Sequence, residues 1–272
     1  MILFNNIIGG NEIKWWKTNT ESNNDGSSCF GMIVGKRILA RNRTPIASLL
    51  YHRQKISEDD LYSGSDHGTI NVISSTSRHK EWDTKREIQQ HTKCVNDMML
   101  SWPTEGRCDK HGALDHRCYF YSVSDDRRII KYDTETQEVV DCIFPTCVNG
   151  ATIQKICQSD RHIFVGNSRG IIFVYPIHNI CEREDIHSCK TSDGKKRIRY
   201  CVQNELKHGE SPITSLRVGG KQNKISYLYS ASYDGSVAVF QLKRKGIDFP
   251  LTKLIQKVTK YPNHLSVLSK NL

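Results

Sequence analysis

Long apolar runs are missing from this 272-residue chain: the longest clean one, Ile171-Ile172-Phe173-Val174-Tyr175, is far too short for a transmembrane helix, which needs about 20 apolar residues. A basic stretch followed by an apolar segment and a small-residue cleavage site is also missing from the N-terminus, Met-Ile-Leu-Phe-Asn-Asn-Ile-Ile-Gly-Gly. No secretory signal is therefore expected. The motifs of several enzyme classes are absent too. There is no Gly-x-Ser-x-Gly elbow, no Gly-x4-Gly-Lys-Ser/Thr phosphate loop and no His-Glu-x-x-His, and no pair of carboxylates stands apart from the solvated acids. Catalysis is not expected.

What is present reads as a globular, basic, intracellular chain. Hydrophobic residues make up 37 % and charged residues 25 %, with 39 Lys+Arg against 29 Asp+Glu for a formal charge of +10. That balance supports a packed core. The 10 cysteines are scattered, and a chain able to bury a core of this size needs no staples, so they read as reduced thiols of the cytoplasm or nucleus. The sequon at Asn42 would matter only in a secreted chain.

One phrase recurs: small polar residues, a turn rich in Asp or Gly, then a β-branched strand closed by an aromatic. Residues 229–240 read Tyr-Ser-Ala-Ser-Tyr-Asp-Gly-Ser-Val-Ala-Val-Phe, and residues 62–73 read Tyr-Ser-Gly-Ser-Asp-His-Gly-Thr-Ile-Asn-Val-Ile. Residues 121–132 and 164–175 are further copies, and 7–16 is a weak fifth. Each predicts a hairpin with apolar residues at period two. A strand precedes each clear copy; Pro45-Ile46-Ala-Ser48-Leu49 and Pro212-Ile213-Thr-Ser215-Leu216 nearly match. His91 and His208 stand ahead of two such strands, and fourth strands are expected at 85–88 and 197–202. Four strands per unit, repeated, predict an all-β chain: a β-propeller of four-stranded antiparallel blades.

Over nearly its whole length the chain resembles the WD40 family. The resemblance implies a structural network in which a histidine before the first strand, a serine of the second, the turn aspartate and an aromatic closing the third are bonded in series. His208, Ser232, Asp234 and Phe240 match those places in one blade, and His91, Ser124, Asp126 and Tyr132 in another. Phe240 brings no indole N–H. His67 and Arg169 stand where the turn aspartate belongs in the other two blades, and Ile73 replaces the aromatic. The phrase-closing positions Trp16, Ile73, Tyr132, Tyr175 and Phe240 are 57, 59, 43 and 65 residues apart. A plain repeat takes about 40–45 residues, so insertions are expected near 74–82, 103–117 and 180–196. The expected organisation is a single WD40-type propeller over 1–272, with four complete blades and one split or truncated blade. A strand at 264–267 could complete the split blade, closing a five-bladed ring; a fragment of a seven-bladed propeller is the alternative.

Three features could carry function. The turns between second and third strands, with Asp66, Asp125, Ser168 and Tyr233, should share one face that binds partners, Tyr233 being the best anchor because aromatics are enriched in binding hot spots. Lys195, Lys196, Arg197 and Arg199, and then Lys243, Arg244 and Lys245, form basic clusters beside aromatics that would suit the phosphates of RNA; for runs this short, solvated surface loops are the favoured explanation. Cys108, His111, His116 and Cys118 have zinc-ligand chemistry in a Cys-x2-His-x4-His-x-Cys spacing that is not a standard finger, so zinc competes with a plain inserted loop and no cofactor is required. WD40 propellers usually act as adaptors, so the resemblance implies a non-catalytic scaffold for other proteins, with no membrane and no small-molecule substrate. Residues 44–241 also resemble the WD40 end of nuclear zinc-finger–WD40 proteins associated with RNA, through His91-Thr-Lys-Cys-Val95-Asn96, Phe164-Val165-Gly166 and His208-Gly209. An RNA-associated nuclear module is therefore the second reading.

Overall fold

The computed structural model describes residues 12–19, 32–41, 45–55, 58–76, 82–101, 118–143, 150–177, 189–190, 196–197, 204–222, 225–242 and 249–255. Every regular element among them is a β-strand. The chain divides into two compact units, Met1–Val95 and Asn96–Leu272.

In the first unit, β1 (Glu12–Asn19) and β2 (Met32–Arg41) form a two-stranded antiparallel sheet. Four strands follow as one antiparallel meander: β3 (Ile46–Lys55), β4 (Glu58–Ser65), β5 (Thr69–Thr76) and β6 (Trp82–Gln89). Its apolar centre is Ile46, Leu61 and Ile73, flanked by Leu49 and Tyr51. Beside it three polar groups are buried in cross-strand register, His52 on Asp60 and Asp60 on Ser74. Ser74 donates its hydroxyl to Asp60 Oδ1, and burial pushes the His52 imidazole down although Asp60 pulls it partly back.

The second unit holds three further meanders. β7 (Val95–Ser101), β8 (Tyr119–Ser124), β9 (Ile129–Asp133) and β10 (Val139–Ile143) form one sheet. β11 (Ile153–Gln158), β12 (His162–Asn167) and β13 (Ile171–Pro176) then run on; the short β14 (Cys189–Lys190) and β15 (Lys196–Arg197) pair with each other, and the fourth strand of the sheet is β16 (Asn204–Lys207). Of the expected strand 197–202, Arg197 pairs with Cys189 in β15, and 198–202 lie outside the described residues. The last sheet is β17 (Ile213–Gln222), β18 (Ile225–Ser232), β19 (Val237–Leu242) and β20 (Leu251–Ile255). The expected strand 85–88 lies within β6, whereas 264–267, expected to complete a split blade, lies outside the described residues.

The three sheets of this unit pack face to face. Met99, Tyr121, Val123 and Ile129 meet Ile153, Ile156, Val165 and Phe173 in one core; Phe164, Ile172 and Val174 meet Leu216, Leu228, Ala238 and Phe240 in the next. β12 and β13 are therefore buried on both faces and read as continuous apolar runs rather than alternating ones. Burial falls away outward: β10 and β16 each keep only one buried residue, and β20 keeps none.

Candidate functional site

All four hairpins between second and third strands close in the same way. The last turn residue is left-handed in each: Gly68 (φ 91), Arg127 (φ 67), Gly170 (φ 72) and Gly235 (φ 90). The first turn residue caps the turn with its side chain. Ser65 Oγ accepts the amides of His67 and Thr69, Ser124 Oγ that of Asp126, and Asn167 Oδ1 those of Arg169 and Ile171. Short polar side chains do this best, which is why Ser and Asn recur there.

The second turn residue is anchored to the start of its own blade's first strand. Asp66 N–H donates to Pro45 O (3.2 Å), Ser168 N–H to Thr152 O (2.9 Å) and Tyr233 N–H to Pro212 O (2.9 Å). Each first strand then carries a bulge at the same place, between Ile46 and Ser48, Ile153 and Lys155, and Ile213 and Ser215. A bulge re-aims side chains. In the third blade it lets Gln154 reach Asp125, whose Oδ1 accepts from both Asn96 Nδ2 (2.8 Å) and Gln154 Nε2 (3.1 Å). Asp125 is thus held between two blades, and Ser168 Oγ accepts the Thr152 amide. Asp66 contacts the His67 ring at 2.5 Å. Tyr233 stands 53 % exposed, the largest value among the exposed large hydrophobics of the described residues.

Beneath Tyr233 lies a buried relay. His208 follows β16 and donates its backbone N–H to Gly170 O in the preceding blade (2.9 Å). Its ring lies between two hydroxyls, Ser230 Oγ at Nδ1 (2.7 Å) and Ser236 Oγ at Nε2 (2.8 Å). Ser236 donates its hydroxyl to Asp234 Oδ1 (2.5 Å), which also accepts the Ser236 amide (2.9 Å). A carboxylate only accepts, so Ser236 must take its own hydrogen bond from Nε2–H, and Nδ1 accepts from Ser230. The imidazole is neutral in this arrangement, and burial pushes it down while Asp234 pulls it partly back. Partial burial pulls the Asp234 carboxyl up, but the bonds from Ser236 and Ser232 outweigh it and, with His208, hold it below the ordinary carboxylate value.

The serines bonded to His208 are therefore Ser230 and Ser236. Ser232 sits at the turn and donates weakly to Ser211 O (3.3 Å). Phe240 is buried in the core between the two blades. In the second blade, Ser124 is the turn cap described above, and Asp126 is bound by Arg128 through Nε (3.0 Å) and Nη2 (2.8 Å). Tyr132 stacks on Phe120 with centroids 4.5 Å apart, its hydroxyl 3.5 Å from Ser122 Oγ. Burial pushes the Tyr132 phenol up. His91 is buried ahead of β7, and its carbonyl accepts from Gln89 Nε2 (2.9 Å). Ser230, Ser236, Ser122, Arg128 and Gln154 were not singled out from the sequence. The signal for Ser122 and Ser230 was there in the Ser-x-Ser pairs, whose two members lie on the same strand face.

Of the basic clusters, Lys196 and Arg197 lie in β15, while Lys195, Arg199, Lys243, Arg244 and Lys245 lie outside the described residues. So do Cys108, His111 and His116. Cys118 is half-buried just before β8, and burial, with Glu135 and Asp133, pushes its thiol up. Among the described residues no group of three or more His, Cys, Asp or Glu side chains could hold a metal, and no helix is long and apolar enough to cross a membrane.

No known protein family matches the chain, and no curated protein matches it in sequence. Solved structures do: 1141 chains are similar in fold, so the likeness by itself singles out no activity. One belongs to the structure of a humanized mutant of the Chaetomium thermophilum Polycomb Repressive Complex 2 bound to the inhibitor GSK126, with a TM-score of 0.59 at 12 % identity. The match covers 90 % of this chain and 47 % of that one, so the chain spans about half the length of the structure it matches. Likeness at that identity speaks for fold alone. The four-stranded antiparallel blades and this likeness make the chain a β-propeller in fold class.

Proposed function

We propose that this chain is a non-catalytic, WD40-type scaffold that holds other proteins together in a larger assembly of the cytoplasm or nucleus, with no cofactor and no small-molecule substrate. The observation that carries this reading is Tyr233: an aromatic ring 53 % exposed on a turn that backbone and side-chain bonds fix from beneath. A rigid exposed aromatic loses little freedom on binding and contributes a large contact area, the profile of an interface anchor. Asp66 and Ser168 hold the equivalent turn positions of their own blades. The His208 ring and the Ser230 and Ser236 hydroxyls bonded to it are buried and stiffen the platform.

The test uses the intact chain as bait in native lysate, with and without nuclease, against a Tyr233→Ala bait. Nuclease-resistant partners that fall about tenfold or more with Tyr233→Ala are expected. Partners that vanish with nuclease would overturn the reading in favour of RNA held by the basic clusters at Lys195, Lys196, Arg197, Arg199 and Lys243, Arg244, Lys245. Turnover of a small substrate by the purified chain would overturn it altogether.

A further inference from the structure

Edge strands expose unpaired backbone groups, and proteins usually blunt them with charge. Two of the four outer strands here follow that practice, while β10 exposes Val139 (41 %) and Val140 (50 %). β6 exposes Asp83, Lys85, Arg86 and Glu87, and β16 exposes Glu205 and Lys207 around a buried Leu206. β20 does not. Among the described residues it pairs only with β19, and all five of its residues are exposed. Leu251 (47 %), Leu254 (42 %) and Ile255 (37 %) are half of the exposed large hydrophobics of the described residues. The strand's inner side is well held: Gln241 N–H donates to Pro250 O (3.0 Å) and Thr252 Oγ to Val239 O (2.9 Å). A firmly docked edge strand with one charge and three partly exposed apolar residues can still take one more strand.

We propose that the outer edge of β20 is a docking site for an extended acidic segment of a partner protein, added to the blade as a fifth strand. Charge selects this occupant over a second copy of the chain. Lys253 is the middle residue of β20, so antiparallel pairing of two such strands about their centres would set Lys253 against Lys253. In-register parallel pairing would do the same, and like charges directly opposite destabilise a pair. A carboxylate opposite Lys253 gains instead. The surrounding sequence agrees: residues 243–260 contain Lys243, Arg244, Lys245, Lys253, Lys257 and Lys260 against the single acid Asp248, in a chain of charge +10. Backbone bonds would supply most of the affinity, with apolar residues of the segment resting on Leu251, Leu254 and Ile255. This surface is separate from the turn carrying Tyr233, and the proposal goes beyond the scaffold reading.

The probe is a short peptide of alternating valine and glutamate, compared with its valine–lysine counterpart, titrated into the full chain while amide exchange is followed along β20. The glutamate peptide is expected to bind and slow exchange of the β20 amides about tenfold or more. Lys253→Glu should weaken it at least about fivefold and admit the lysine peptide; Leu254→Asp should abolish binding; Tyr233→Ala should change nothing. Both β20 positions are exposed, and an unchanged circular dichroism spectrum checks the fold of each variant. Equal binding of the two peptides, or no slowing at β20 under saturating peptide, overturns the proposal. So does β20 protection that grows with protein concentration in the absence of peptide, because a second copy would then be the occupant.

Discussion

Deleting one hydroxyl at a time from the blade around His208 should separate the serines that serve the relay from the one that only closes the turn. In Ser236→Ala the link between His208 Nε2 and Asp234 is lost. The Nε2–H donor is then left in a buried ring, and an orphaned buried donor costs about 1–3 kcal/mol. Asp234 is exposed and keeps the backbone amide of residue 236, so its share is small. Ser230→Ala orphans Nδ1 by the same reasoning. Ser232→Ala removes a 3.3 Å bond to Ser211 O and a bond to a carboxylate that water can replace, and should cost under about 1 kcal/mol. For a domain of 150–250 residues each kcal/mol moves the melting point about 2–4 °C. A cost of about 2 kcal/mol, the middle of that range, would put Ser236→Ala and Ser230→Ala about 4–8 °C below the parent, and a cost under about 1 kcal/mol would keep Ser232→Ala within about 4 °C, by far-UV circular dichroism. A His208→Leu background removes the orphan, so adding Ser236→Ala there should cost much less than it does alone. Equal losses for Ser232→Ala and Ser236→Ala, or a Ser236→Ala loss that persists undiminished in His208→Leu, would refute the relay.

Stability should decline as pH falls through about 6.5, the ordinary histidine value, because burial holds folded His208 and His52 below it and the unfolded chain takes up protons first. The loss continues until the lowered folded values are passed; melting points equal at pH 7.5 and 5.5, or higher at 5.5, would contradict this. Gly170→Ala should destabilise far more than Gly150→Ala, although both glycines are left-handed (φ 72 and 77). A Cβ at Gly170 would stand 2.6 Å from Gly209 O in the connection to the next blade, whereas at Gly150 its nearest neighbour is an arginine tip at 3.9 Å. Left-handed strain of about 1 kcal/mol is common to both, so the difference in denaturation midpoint isolates the clash, and equal midpoints would sink it. Asp125→Ala should leave the Asn96 and Gln154 amides short of their shared acceptor and lower stability by about 1 kcal/mol, read as a shifted urea midpoint with an unchanged slope.

The hairpins were legible because their pattern is local. A Tyr-Ser-x-Ser phrase, a polar turn and a β-branched strand state the period, the bend and the return in consecutive residues, and the structure has hairpins at all four clear copies. The relay was harder to read. Ser230 and Ser232 are two residues apart on one strand and face the same way, so spacing cannot tell which meets the histidine; strand register and the connection from β16 decide it. Arg127 in the left-handed region was not legible either, since three of the four turns use glycine there. Nor were the first-strand bulges, because Ala47, Gln154 and Thr214 share no residue type. The fourth strands suffered most. With little to bury, they carry no strong apolar period, and the insertions ahead of them blur their position.

That weakness of pattern in the fourth strand is itself informative. The inner three strands of a blade are constrained from both faces, so their residues answer to packing; β12 and β13 are apolar almost throughout. An outer strand answers to solvent on one side and needs only enough pairing to stay attached, which four residues achieve in β16. Its remaining positions are free to be charged, and in β6 and β16 they are. Packing within the blade accounts for only part of Leu251, Leu254 and Ile255 in β20, which keep 47, 42 and 37 % of their surface exposed with the strand already bonded to β19. Solubility disfavours them at an open edge. Three partly exposed apolar residues around the single charge of Lys253 are what the proposed acidic strand would cover.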